Sequence, residues 1–509
     1  MKGVELYEHR RANYLYKEEA AMNSDAQDRW AQTDWKEAEK RVNKLQSRIA
    51  KAVKEGKPHL ARRLQHLLKN SFYAKLLAVK RVTSNKGKNT SGIDRILWST
   101  PASKWKAAIS LQSKGYRSLP LRRVFIEKKG KNKKRPLGIP TMYDRAMQAL
   151  YALTLDPIAE TTADRGSFGF RKHRSQKDAR QQIFGCMAKK NSARWVLEGD
   201  IKGCFDNISH EWLLENIPMD KKILKEFLKS GYMWKRELFP TKDGTPQGGI
   251  ISPILANMTL DGIELMLKKH YWTRSSGRII SSYNKNKVNF IRYADDFVVT
   301  AGCREVAEEV REMINKFISQ RGLELSEEKT TITHIQDGFD FLGWNVRKYG
   351  DKLLIKPSKN SFKENADKIR TAIKTGKAMS QEKLIGILNP IIRGWCNYHQ
   401  SSVSKKMFQK MDCVIFESLW RWAKRRHPMK SKTWIKNRYW KSIGSRNWVF
   451  HSGSNELIVA NDTKIVRHRL IKLNKNPYLR EDREYYAERK YIMLMKKRIL
   501  AAGLTPGFR

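Results

Sequence analysis

Two adjacent carboxylates, Asp295 and Asp296, sit between apolar, β-rich runs: VNFIRY precedes them and FVVT follows. Neighbouring carboxylates repel each other unless a cation is at hand, so such a pair inside strand-like sequence asks for an explanation. Far upstream, Asp200 closes another apolar run, WVLEGD. Two or three aspartates fixed on strands and facing one cleft are what two-metal phosphoryl transfer requires. One ion activates the attacking hydroxyl and both stabilise charge on the phosphate. Magnesium takes few carboxylates and completes its shell with water and substrate phosphate, so the requirement is sparse. A single Asp at a strand end is ordinarily a cap or turn residue, and Asp200 alone carries little weight. The adjacent pair carries more. The three are distant in sequence, so only the fold can bring them together.

The elements that must position them follow from the pattern. WVLEGDIKGCF reads as a strand ending on an acid, and VNFIRYADDFVVT as a hairpin with carboxylates at its tip. Residues 34–80 read as helices, with Val42, Leu45, Ile49 and Val53 at helical spacing and a break at Gly56-Lys57-Pro58. The stretch 83–92 is a polar loop and 273–287 a polar surface insertion. Residues 114–135 hold ten basic residues and one acid, Glu127, and read as a basic hairpin or, in isolation, a solvated loop. Residues 360–425 return to helical patterning. Residues 421–455 hold ten basic residues and no acid, interleaved with Trp422, Trp434, Trp440 and Trp448. Basic charge with aromatic rings suits nucleic acid, although a tryptophan alone is more often core. Residues 478–502 read as a charged terminal helix.

The chain has 509 residues with 102 Lys+Arg against 51 Asp+Glu, a formal net charge of +51. The length suggests roughly three domains. With 40% hydrophobic residues the chain can build real cores, so the charge lies on folded surfaces. A polyanion must offset it. Nucleic acid is the default, and an anionic membrane surface the competing reading. No apolar run is long enough to span a bilayer, and the charge is not confined to one amphipathic helix. The first thirty residues include six acids and no apolar signal core. The cysteines Cys186, Cys204, Cys303, Cys396 and Cys413 form no CxxC pair, so neither zinc nor a disulfide framework is expected, and a reduced intracellular protein fits best.

YADD at 293–296 is similar to the polymerase signature of reverse transcriptases. It is joined in order by RPLGIP at 135–140, SFGFR at 167–171, DIKGCFDNISH at 200–210, GTPQGGIISPILANMTLD at 244–261, LSEEKT at 325–330 and GFDFLGW at 338–344. IIRGWCNYH at 391–399 resembles the thumb region, domain X, of maturases. On this series, covering about three quarters of the chain, the sequence is identified as a member of the bacterial group II intron reverse transcriptase/maturase family; with no CxxC pair, it is expected to lack the HNH nuclease that many relatives carry, unless the sequence is truncated.

The resemblance implies an α/β (α+β) right-hand polymerase with fingers, palm and helical thumb. The expected division is a helical extension over 1–90, fingers and palm over 91–355, thumb over 356–425 and a basic DNA-binding region over 426–509. It implies RNA-directed DNA synthesis, help in splicing the intron RNA, and insertion into target DNA. Asp200 and Asp295 would ligate two Mg2+ ions with the Ile201 carbonyl assisting, and Asp296 would support the site. Phe205 would lie under the sugar and reject a 2′-hydroxyl, or else be ordinary core. Lys128 and Arg135 would grip the triphosphate of a deoxynucleotide. Gln247 would lie against the nascent pair, and Lys329 could protonate the leaving pyrophosphate. Lys424, Arg425, Arg426, Lys430 and Lys432 are the expected DNA contacts. Partners are intron RNA, target DNA and deoxynucleoside triphosphates, with no membrane and no zinc. The location is the cytoplasm of a bacterium, beside the nucleoid, with an organelle left open. The rivals are a splicing-only maturase and a reverse transcriptase of a defence or CRISPR-associated system.

Overall fold

Apolar residues at helical spacing fold residues 35–84 into three helices, Trp35–Lys54, Pro58–Asn70 and Phe72–Ser84. Asp34 caps the first through the amides of Lys36 and Glu37, and Pro58 opens the second from within its first turn. The computed structural model describes residues 23–127, 134–235, 237–245, 248–453 and 455–501, with only the backbone of Arg135, Lys497, Leu500 and Ala501. Two of the expected site residues, Lys128 and Gln247, therefore lie outside the described residues.

The architecture is the expected mixed α/β right hand. The fingers carry a sheet in the order β2-β1-β4-β5, from β1 (Leu121–Glu127), β2 (Lys134–Ile139), β4 (Tyr232–Trp234) and β5 (Glu237–Phe239). β1 and β2 are the basic hairpin, in register from Arg122↔Ile139 to Glu127↔Lys134. The palm sheet has the order β6-β7-β3-β8, from β3 (Trp195–Asp200), β6 (Asn289–Tyr293), β7 (Asp296–Ala301) and β8 (Thr331–His334). All its pairs are antiparallel.

Alternation sorts the palm residues between two cores. Leu197, Phe290, Phe297 and Val299 face one packed with the N-terminal helices and the long Met142–Thr162 helix. Val196, Ile291 and Val298 face the other, with the Gln176–Met187 helix and the sheet of β9 (Phe339–Phe341), β10 (Trp344–Tyr349) and β11 (Lys352–Pro357). Both faces are covered, which is why these strands read as continuous apolar runs.

The thumb packs the helices Lys359–Thr375, Gln381–His399 and Lys405–Arg426 around Ile369, Leu388, Ile392, Phe408 and Leu419. This core does not stop at 425. Ile435, Tyr439, Trp440, Phe450 and Ala460 belong to it, bringing in the Lys432–Tyr439 helix, β12 (Trp440–Ile443), β13 (Arg446–Ser452) and β14 (Asn455–Glu456).

The remainder of the C-terminal region leaves the thumb and runs over the back of the palm. Ile471 enters the rear palm core, and its amide, with the His468 ring and Arg489, meets Asp178 at 2.9–3.0 Å. Asn476 donates to Thr161 at 2.9 Å, Tyr478 bonds Asp156, and Lys54 pairs with Glu481. Residues 426–509, expected as one basic region, thus divide between a thumb extension and a strap on the palm. Apolar residues such as Ile435, Phe450, Ile471 and Tyr478 find cores, whereas Trp434, Trp448, Ile465 and Tyr491 stay exposed. No helix among the described residues is long and apolar enough to cross a membrane.

Candidate active site

β6 and β7 are joined by a two-residue turn, Ala294-Asp295, closed by the pair Tyr293↔Asp296. Tight hairpins of this length need a positive φ at the first central residue, normally supplied by Gly or Asn. Here Ala294 takes it, at φ 61°. An L-residue held there costs about 1–2 kcal/mol, so the surroundings must impose it.

They do so from two sides. The SFGFR segment lies alongside β6 through a single parallel bridge, Ser167↔Arg292. Phe168 N–H donates to the Arg292 carbonyl and Arg292 N–H to the Gly166 carbonyl, both at 2.8 Å. A Cβ on Gly169 would come within 2.2 Å of the Ala294 nitrogen, so only glycine allows this approach.

From below, the fully buried Arg292 guanidinium binds Asp261 at 2.6 Å, the Asn257 side-chain oxygen at 3.0 Å and the Ala294 carbonyl at 3.2 Å. Asn257 in turn donates to the Gly169 carbonyl at 2.8 Å. Asp164 accepts from the amides of Gly262 and Glu264 at 3.0 and 3.1 Å. Burial, and then the charge of Asp261, push its carboxyl up to about 7. Arg171 closes this ionic frame on Glu160 at 2.7 Å.

On the mounted turn the distant carboxylates converge. Asp200 ends β3 directly opposite Asp296 on β7. The crowded protein around Asp296, and then the charges of Asp295 and Asp200, push its carboxyl up to about 7. Burial followed by the Asp295 charge also pushes the nearby Cys204 thiol up to about 12. The Lys329 ammonium pairs with Asp200. The strand end is pinned by Ser326 N–H on the Asp200 carbonyl at 2.8 Å and Lys202 N–H on the Glu324 carbonyl at 3.1 Å, and neither bond uses the Ile201 carbonyl. Among the described residues no three acidic, imidazole or thiol groups close to ligating distance, and the Lys329 ammonium lies on Asp200. The donors are hard oxygens that repel one another, a set suited to a hard divalent cation.

The other expected residues scatter around this centre. Phe205 lies half-buried on the short Cys204–Asn207 helix, its ring 6.3 Å from Phe170, edge to face. Its carbonyl accepts from Thr245 N–H at 2.6 Å. Gly248, at φ 113°, abuts the Gly138 carbonyl of β2, so Thr245 touches the palm and Gly248 the fingers. Arg135 pairs with Ile126 across the fingers hairpin.

Lys424, Arg425, Lys430 and Lys432 are exposed around the end of the last thumb helix. Arg426 is partly occupied: it donates to the Met379 and Lys377 carbonyls at 2.7 and 3.1 Å and stacks 4.6 Å over Trp422. Sequence reasoning passed over Arg292, Asp261 and Asn257. The available signal was an arginine inside the apolar run NFIRY, which can be buried only with a partner.

The fold and the carboxylate hairpin are those of a templated polymerase. A family model described as reverse transcriptase (RNA-dependent DNA polymerase) matches residues 126–346. A second, the N-terminal domain of reverse transcriptase, matches 30–111, and a third, the group II intron maturase-specific domain, matches 362–440. The chain is 33% identical over 439 residues to the group II intron-encoded protein LtrA of Lactococcus lactis subsp. cremoris, covering 69% of this chain and 72% of that one. It is 31% identical over 366 residues to protein YkfC of Escherichia coli (strain K12), covering 64% and 95%. It is 23% identical over 381 residues to maturase-like protein 1 of Euglena gracilis, covering 72% and 77%.

The chain belongs to the group II intron-encoded reverse transcriptase/maturase family and is an RNA-directed DNA polymerase. Enzymes of this kind generally depend on Mg2+. The splicing-only and defence-system readings are not favoured.

Proposed function

We propose that Asp200, Asp295 and the Ile201 carbonyl hold two Mg2+ ions at which deoxynucleotides are added to a primer on an RNA template. Asp296 supports the site from the neighbouring strand. The observation that carries this reading is the pairing of Asp200 with Asp296 beside Asp295, in a group whose mutual repulsion calls for a cation. When bound, such ions lower the barrier by polarising the attacking hydroxyl and neutralising the phosphate.

The chain's own residues do the rest. Lys329 gives a proton to the departing pyrophosphate, a role supported by its pairing with Asp200. Phe205, wedged against Phe170, is the barrier to a 2′-hydroxyl. Lys128, Arg135 and Gln247 close on the incoming nucleotide from the fingers and the 244–248 loop.

The further partners are the intron RNA, bound through the thumb and the basic surface, and the target DNA. Lys424, Arg425, Arg426, Lys430 and Lys432 meet phosphate. Residues 1–90, 91–355 and 356–460 act as helical extension, catalytic unit and thumb. The strap beyond 460 ties them together in a cytoplasmic, nucleoid-associated bacterial ribonucleoprotein.

The test is primer extension on an RNA template by Asp295→Asn, with RNA affinity measured on the same preparation. Synthesis should be lost while affinity stays within about twofold, because the basic surface is untouched. Activity remaining within about tenfold of the parent would overturn the metal assignment.

A further inference from the structure

At the outer end of the thumb, β12 and β13 form a hairpin around Gly444-Ser445. Its register runs Trp440↔Phe450 and Lys441↔Val449, then Ile443↔Arg446. Asn447 and Trp448 therefore stand together opposite Ser442 alone, which is a β-bulge. Trp448 occupies it at φ 65°. The left-handed position of such a bulge ordinarily belongs to glycine, and for a bulky side chain it is an outlier. Bulges re-aim side chains, and backbone strain of this kind gathers at ligand clamps.

What the bulge aims is an exposed aromatic surface. Trp448 is 44% exposed and Phe416, on the Lys405–Arg426 helix, 39%. Their rings lie 5.8 Å apart edge to face, with Trp420 at 6.0 Å from Trp448 and Trp440 closing the base. Trp440, behind them, is buried.

The rim is cationic. The Lys436 ammonium stands 5.1 Å from the Trp448 ring centre, and Arg421, Lys424 and Lys441 are exposed in the same stretch. Of the nearby acids, Asp462 is paired with Arg446 and Asp412 accepts the Ala460 and Asn461 amides. Glu417 is exposed beside Phe416 and leaves the rim strongly positive.

We propose that Trp448 and Phe416 form a shelf on which an unpaired base of bound RNA stacks, with Lys436 and its neighbours holding the flanking phosphates. Every base offers a π-face, so the shelf selects single-stranded over duplex segments and is tolerant of sequence. This rests on the reading that the chain binds RNA through its thumb, and gives that surface a specific anchor.

The test uses the full chain and a short single-stranded RNA carrying 2-aminopurine, with a single-stranded DNA and an RNA duplex of the same sequence. Trp448→Gly removes the ring and relieves the positive φ together. It should leave the melting temperature unchanged or raised, weaken single-stranded RNA binding about tenfold and abolish the quench of 2-aminopurine. Duplex binding should not change. Trp448→Phe should keep most of the affinity and quench, whereas Trp448→Leu, with equal strain and apolar bulk but no ring, should behave like the glycine variant. Equal binding by Trp448→Leu and Trp448→Phe, or a wild-type quench in Trp448→Gly, would overturn the shelf. Tighter binding of DNA than RNA would overturn the choice of RNA. A parent protein that binds no single-stranded RNA would overturn the underlying reading of the thumb as well.

Discussion

The palm turn and the thumb hairpin each hold a non-glycine residue at positive φ, Ala294 at 61° and Trp448 at 65°. In the palm the strained residue is small and its neighbour Asp295 is the proposed metal ligand. The turn is clamped from behind by Gly169 and by the buried Arg292–Asp261–Asn257 frame. In the thumb the strained residue is itself the presented group, backed by other rings on a shallow, exposed surface. The difference follows from what each has to hold. A catalytic carboxylate must stay within a fraction of an ångström of its position, which takes a dense polar frame. A stacking ring tolerates sliding over a base, and a bulge suffices to point it outward.

The largest expected effect comes from breaking the palm frame. Arg292→Met leaves Asp261 buried without its partner, and the chain should lose about 3–5 kcal/mol with loss of polymerisation. Urea unfolding and primer extension check this. The double variant Arg292→Met/Asp261→Leu should regain most of the stability but not the activity, since the grip on the Ala294 carbonyl stays absent. Full stability in the single variant would show that the frame is not what holds the turn.

An intermediate effect separates the two regions by pH. Asp164, in the palm frame, has its carboxyl raised to about 7 by burial and by Asp261. Between its ordinary range and pH 7 the folded state holds more proton than the unfolded, so this group's contribution to stability falls as pH rises through that window. His399, fully buried in the thumb among Trp344, Trp395 and Tyr398, has its imidazole lowered to about 3 by burial and then by Lys177. Its contribution is present above about 6.5 and is lost as pH falls toward 3. Asp164→Asn should therefore flatten the slope of stability between pH 4 and 7. His399→Gln should flatten the acid side below 6.5. Melting curves across pH 4–8 for both variants decide it, and slopes equal to the parent's would remove the assignment.

The smallest effect tests the turn itself. Ala294→Gly relieves the positive φ but adds backbone freedom to the unfolded chain, two terms of about 1 kcal/mol that nearly offset. The melting temperature should move by only a few degrees. Polymerisation should fall several-fold because the turn is less firmly held. A large gain in stability would mean that the frame holds far more strain in the turn than about 1–2 kcal/mol.

Several of these relationships could be read from the chain and several could not. The palm hairpin was legible because both its faces are buried, leaving apolar runs interrupted only by YADD. The basic fingers hairpin was legible for the opposite reason, its charge and turn residues. The strap over 463–501 was not. Its anchors, Ile471, Tyr478 and Leu479, are isolated among charged residues, and their targets, Asp156, Asp178 and Ala50, lie hundreds of positions away. Trp422 and Trp440 are core while Trp434 and Trp448 are open, a division that no spacing in 421–455 predicts.

By itself the sequence determined the order of the elements, the family and the three aspartates worth suspecting. Each of these depends on local pattern: period-two apolar runs, turn residues and short motifs. Only the tertiary structure decided that Asp200 stands opposite Asp296, that a buried arginine grips the Asp295 turn, and that residues 468–489 lie on the back of the palm. These depend on which distant surfaces meet. That choice is made by burial and charge pairing summed over the whole molecule, and one segment read alone contains neither partner.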